Sequence, residues 1–144
     1  MKKKHVLIFC SVLLFWFFLD MTGVDFGEKY LVMRSFKEDG IYFIIYLTAL
    51  LLFVFKEKIG KYILDVWLLM WFATQFASHW LHTITGRGLG LNKIEHFKGS
   101  LKLFESTRRY IPDAYHIVLH LLIIMAFAAL NIYIIKNKSK EGNK

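Results

Sequence analysis

Four long apolar runs constrain this chain more than any other feature: Val6 to Leu19, Ile41 to Phe55, Tyr62 to Trp80 and Ala114 to Ile135. A helix needs roughly 20 apolar residues, at about 1.5 Å each, to cross the hydrocarbon core of a bilayer. The first two runs reach that length once their aromatic and lysine flanks are added. Soluble domains are about half apolar or less. This chain of 144 residues is 56% hydrophobic and has one proline. The pattern predicts an all-α integral membrane protein. Its four transmembrane helices fall near 5–21, 40–56, 61–84 and 112–135, forming a bundle with two interfacial loop segments and a polar tail over 136–144.

The opening MKKKHVLIFCSVLLFWFF puts basic residues before an apolar run, as a signal peptide does. It ends in LDMTGVDFG with no small-x-small cleavage site, so it reads as a retained first helix. The only cysteine, Cys10, lies inside that helix, which excludes an intrachain disulfide and redox dithiol chemistry. Lys and Arg near the helix ends orient a membrane protein, and here the two sides carry ten and nine of the 19. The ten crowd into short tails and the tight FKEKIGKY turn, so both termini are expected in the cytoplasm, with the chain multi-pass in the cell membrane. Lysines beside anionic membrane lipid account for the formal charge of +8, so no nucleic acid is needed as a partner. No sequence signal sets an oligomeric state.

Two far-side loops, Thr22 to Gly40 and Thr85 to Ile111, are long for connections in a bundle. In IEHFKGSLKLFES the residues Ile94, Phe97, Leu101 and Phe104 recur every three or four positions, which predicts an interfacial amphipathic helix. GEKYLVMRSF is a weaker candidate of the same kind.

The oily runs are interrupted by histidines. On the third predicted helix Gln75, Ser78, His79 and His82 fall at i, i+3, i+4 and i+7 and share one face. On the fourth, Asp113, His116 and His120 fall at i, i+3 and i+7, with Pro112 suited to the first turn and Asp113 to the positive end of the helix dipole. Antiparallel packing brings both stripes to one depth near the far-side interface, where Asp20 ends the first helix. Ionisable groups in spanning segments are functional candidates; taken singly, each is better explained by hydrogen bonding between helices, and it is their convergence at one depth that brings the two readings level.

Imidazoles one turn apart plus a third from a neighbouring helix leave tetrahedral zinc one open position. His82, His116 and His120 are the expected metal ligands, with His79 replacing His82 if the helix is rotated. Ser78, His79, Asp113 and Asp20 are the candidate catalytic residues: Asp113 or Asp20 as base or orienting group, Ser78 as a hydrogen-bond donor to the reacting oxygen. Arg87, Arg108 and Arg109 could dock an anionic headgroup, or simply form an interfacial basic patch. SHWLH, carrying Ser78 and His82, and HIVLH, carrying His116 and His120, resemble motifs of the membrane hydrolase superfamily that includes alkaline ceramidases and progestin and adipoQ receptors. That resemblance implies three histidines on zinc, an assisting aspartate and amide bonds in lipids as substrate. Four helices are predicted here where those proteins have seven.

Other chemistries use the same residues. One imidazole from each helix, His79 or His82 against His116 or His120, could clamp a single haem. A metal-free base assisted by Asp113 could transfer acyl groups, and a non-catalytic accessory subunit would use the histidines only between helices. The reading adopted is an enzyme on a lipid-like substrate, by hydrolysis or acyl transfer.

Overall fold

A computed structural model describes residues 1–87, 93–104, 106 and 109–141. They are mostly helical. In chain order the elements are α1 (Lys3–Thr22), β1 (Val24–Asp25), β2 (Tyr30–Val32), α2 (Phe36–Phe55) and α3 (Glu57–Gln75). A π-helical turn (Phe76–Trp80) continues α3 directly into α4 (Leu81–Thr85), and α5 (Lys93–His96) and α6 (Ala114–Glu141) follow. Among the described residues three stretches are long and apolar enough to cross a membrane: α1, α2 and Ala114–Lys138 of α6. The α3 segment is outside that set because it opens with Glu57, Lys58, Lys61 and Asp65. The last helix continues into the residues expected as a polar tail as far as Glu141, the last described residue.

The long helices close a ring, with α1 against α2 and α6, and α3 against α2 and α6. Their inward positions follow helical spacing: Val6, Cys10, Leu13 and Phe17 on α1, Leu64, Leu68 and Trp71 on α3, and Tyr115, Leu119, Ile123, Ala126 and Leu130 on α6 are buried. Tyr46 of α2 anchors the centre by donating its hydroxyl to the Cys10 carbonyl at 2.9 Å. The outward faces are apolar too, with Phe15, Ile44, Met70, Leu121 and Ile135 all exposed. Helices that are apolar all round need an apolar surround.

At the end bearing the N-terminus, Lys56 alone separates α2 from α3, so the chain reverses within one residue. Gly60 permits this. A Cβ there would lie 2.3 Å from the carbonyl carbon of Leu52. Lys3 donates to the Val54 carbonyl at 3.0 Å and pairs with Glu57 at 3.0 Å, while the Tyr133 hydroxyl donates to the same carboxylate. Asp65, which Lys61 one turn earlier could have paired, instead accepts from the Asn131 amide at 2.7 Å.

The opposite end carries the long loops, and both depart from the helical expectation. Tyr30–Val32 pairs antiparallel with Val24–Asp25, the aromatic and β-branched residues suiting a strand better than a helix. Among the described residues of the second loop only Lys93–His96 is helical, and the chain turns at Gly99 with φ 89°. Tyr30 N–H then donates to the Gly99 carbonyl at 3.2 Å, and Leu101 N–H to the Tyr30 carbonyl at 2.8 Å. The two loops satisfy each other's backbone groups instead of lying as separate interfacial helices.

Candidate functional site: a histidine cluster over a polar cavity

Asp113 is the N-cap of α6, one residue after Pro112, which therefore precedes the helix. Its Oδ1 accepts the backbone N–H of His116 at 2.9 Å, satisfying a donor left open by the first helical turn. The same oxygen lies 2.8 Å from His116 Nδ1. A carboxylate offers only lone pairs, so Nδ1–H donates and the lone pair of a neutral His116 ring sits on Nε2. Asp113 is 1% exposed, which locks this arrangement away from water.

The opposing residues come from the π turn. Widening one turn of a helix by a residue rotates everything after it by about 100° relative to the α-helical register. The face expected from spacing is therefore split. Gln75, Ser78 and His79 stay on the inward side, while His82 turns away and meets Tyr110 edge-on, with ring centroids 6.3 Å apart. His79 is buried and stacks on His116 at 4.1 Å between centroids and 28° between planes. His120 closes the group 5.7 Å from His79. Its Nδ1 accepts the Trp80 indole N–H at 3.0 Å, which makes the ring neutral with its hydrogen on Nε2, a buried atom with no partner among the described residues.

Tyr110, in the segment before α6, holds the far side of His79, its hydroxyl 2.6 Å from Nδ1. Burial, and secondarily the charge of Asp113, push the Tyr110 phenol well above its ordinary pKa, so it keeps its proton. Phe97 packs against Tyr110, His79 and His116, tying the second loop to the cluster.

A cavity of about 410 Å³ opens beside these rings. His79, His116, Asp113, Ser78 and Gln75 form one wall, and Asp20 of α1 with Glu38 and Asp39 of α2 form another. Tyr30 and Arg34 line it from the first loop. The Gln75 amide oxygen is buried without a partner among the described residues.

The structure thus brings together Asp20, Ser78, His79, Asp113 and His116, and puts His120 behind His79. His82 does not line the cavity. Arg87 and Arg109 are exposed and do not line it, and Arg108 lies outside the described residues. Sequence spacing did not reveal Tyr110, Trp80, Arg34 or Asp39. The signal for Tyr110 was its position three residues before Asp113, and for Asp39 its position in the first turn of an apolar helix.

Among the described residues, no three His, Cys, Asp or Glu side chains are grouped so as to hold a metal ion. His79 and His116 are in direct ring contact, with no space between them for a macrocycle. Comparison of the chain with protein-family models, curated proteins and solved structures finds no match.

Proposed function

We propose that the chain is a four-span membrane enzyme that hydrolyses or transfers an acyl group of a lipid-like substrate at the extracytoplasmic interface, with both termini in the cytoplasm. The outward apolar faces of all the long helices support membrane insertion. The unbroken helical stretch from Glu57 to Thr85 supplies the fourth span. Lysines crowded at the N-terminal end and the α2–α3 turn favour that end as cytoplasmic.

One observation carries the catalytic reading: a fully buried carboxylate grips Nδ1 of a histidine that lines a polar cavity. That is how a general base is oriented. His116 Nε2 takes a proton from water or an acceptor hydroxyl, Asp113 stabilises the resulting imidazolium, and the same proton passes to the leaving group. Acyl chemistry agrees with the resemblance of SHWLH and HIVLH to alkaline ceramidases, although the histidine in the cluster here is His79 rather than His82. No step in this scheme passes through a metal.

Turnover of a para-nitrophenyl ester of a medium-chain fatty acid, and of an N-acyl lipid amide, by purified protein in micelles tests the reading. Activity should survive chelation and fall at least about a hundredfold in His116→Asn. No turnover of either class, or equal turnover in His116→Asn, overturns it.

A further inference from the structure

We propose that the groove between α2 and α3 is the acyl-chain site of this enzyme: it seats one fatty chain of medium length from the membrane side and delivers the acyl carbon to the histidine cavity. The proposal rests on the enzymatic reading above and adds a place for the substrate's tail, which a polar cavity does not suit.

On the outer face of the helix ring, α2 and α3 leave a groove of about 550 Å³. Ala49 and Leu52 of α2 line it with Ile63, Trp67 and Met70 of α3. The lining is almost entirely apolar, since the Thr48 hydroxyl is spent on its own helix, donating to the Ile44 carbonyl at 2.8 Å.

Two observations say what fills it. The groove and the cavity succeed one another along the same two helices. On α3, Met70 of the groove is followed one turn later by Thr74 of the cavity, whose hydroxyl donates to the Met70 carbonyl at 2.9 Å. On α2, Tyr42 lines the cavity while its ring packs on Trp67 of the groove, with centroids 6.0 Å apart. An occupant of both is apolar for most of its length and polar at one end. That describes an amphiphile; a partner helix laid over the groove would offer the cavity nothing. The second observation is that the other end is closed. A Cβ on Gly60 would lie 2.3 Å from the Leu52 carbonyl carbon, so α2 and α3 touch there and no chain passes between them. From Ile44 to that end at Leu52 the groove runs about 12 Å, at about 1.5 Å per residue, which is the reach of a medium-length fatty chain.

Lipid tails are as apolar as the side chains of the groove, so leaving the bilayer for it gains little hydrophobic energy. What the groove contributes is position. A tail stopped at its last carbon fixes how far its carbonyl extends past Tyr42 toward His116, and correct placement of reacting groups is worth large factors in rate. A short chain leaves the groove part-filled and its carbonyl unplaced, and a long one must bend out into the bilayer. Chain length should therefore be read in kcat more than in KM.

The test has two arms, both on full-length protein in micelles. In the first, decanamide carrying a photoreactive diazirine on its last carbon is applied to His116→Asn, so that labelling does not depend on turnover. Adducts should concentrate at the closed end, on Leu52, Tyr62 and Ile63, saturate with probe and be displaced by plain decanamide. In the second, the parent should turn over the decanoyl para-nitrophenyl ester with a higher kcat than the butyryl or hexadecanoyl ester. Thr48→Trp, at an exposed position on the groove, should lower the decanoyl-to-butyryl ratio of kcat about tenfold or more, whereas Leu121→Trp on the outer face of α6 should leave that ratio as in the parent. Adducts that rise in proportion to probe and spread equally over the exposed Phe15, Leu121 and Ile135 mark ordinary lipid contact and overturn the proposal. A groove shielded from the probe by a second copy of the chain, or an unchanged ratio in Thr48→Trp, overturns it as well. Saturable labelling of the closed end with no turnover of any ester would instead overturn the enzymatic reading and leave the chain site standing.

Discussion

The two ends of the helix ring solve opposite problems. At the N-terminal end the polar groups that bridge helices are paired off: Lys3 with Glu57 and the Val54 carbonyl, Tyr133 with Glu57, Asp65 with Asn131. The turn is one residue long and depends on Gly60. At the far end two long loops cover a cavity, Asp20, Asp113, His79 and His120 are buried, and the His120 and Gln75 polar atoms go without partners among the described residues. Buried polar atoms left unsatisfied cost stability, of the order of 1–3 kcal/mol each. The contrast separates an end that is tied together from an end that keeps unsatisfied polar groups around a cavity, which is where the proposed function puts the chemistry.

Substitutions at each end should therefore fail in different ways. The largest structural effect is expected for Gly60→Val, whose side chain has no room beside Leu52. A loss of about 3 kcal/mol or more should appear as failure to recover folded protein from detergent. A normally melting Gly60→Val would break the account of the tight end. Asp113→Asn should do the reverse. Asparagine still caps α6, so the melting temperature should shift by no more than about 1 kcal/mol would cause. Turnover should drop by about a thousandfold, because the ring of His116 loses the charge that orients it. Equal losses of stability and turnover would erase the distinction between the ends.

Smaller effects sharpen it further. Glu57→Gln removes a partly exposed ion pair and should cost about 1 kcal/mol or less, measured by thermal unfolding, with turnover unchanged. The smallest expected effect lies at high pH. Tyr110 and Tyr30 both have raised phenol pKa values through burial, with the Asp113 charge adding to it. Above about pH 10 the unfolded chain loses these protons while the folded chain keeps them. The folded state then binds more protons, so stability falls as pH rises through that range. Tyr110→Phe should flatten the fall, and an equally steep decline in that variant would show that the phenol at the cluster is not protected.

The helices were legible in the sequence because uninterrupted apolar runs leave few alternatives, and the position of Asp113 before YHIVLH marked the start of α6. Three features were not legible. The π turn at Phe76–Trp80 keeps the same residues and the same apolar character as an α turn, yet it decides whether His79 or His82 joins His116 and His120. His79 and Trp80 of that turn meet Tyr110, His116 and His120, contacts that spacing along one helix does not contain. The loops were misread because three- and four-residue recurrence of apolar positions also arises in a hairpin and a turn that pack on each other. There Tyr30 pairs with residues 99–101 across a long sequence separation. The cavity's acidic wall combines Asp20 with Glu38 and Asp39 from opposite ends of a loop, a juxtaposition made only by its closure.

The central claim is that Asp113 acts on the reaction through His116. A double-mutant cycle on turnover of the fatty-acyl ester, comparing Asp113→Asn, His116→Asn and the double variant with the parent, tests it most directly. If the pair works as one unit, the double variant should be no slower than His116→Asn alone. Losses that multiply, so that the double variant is slower than His116→Asn by the full factor seen for Asp113→Asn, would contradict the account.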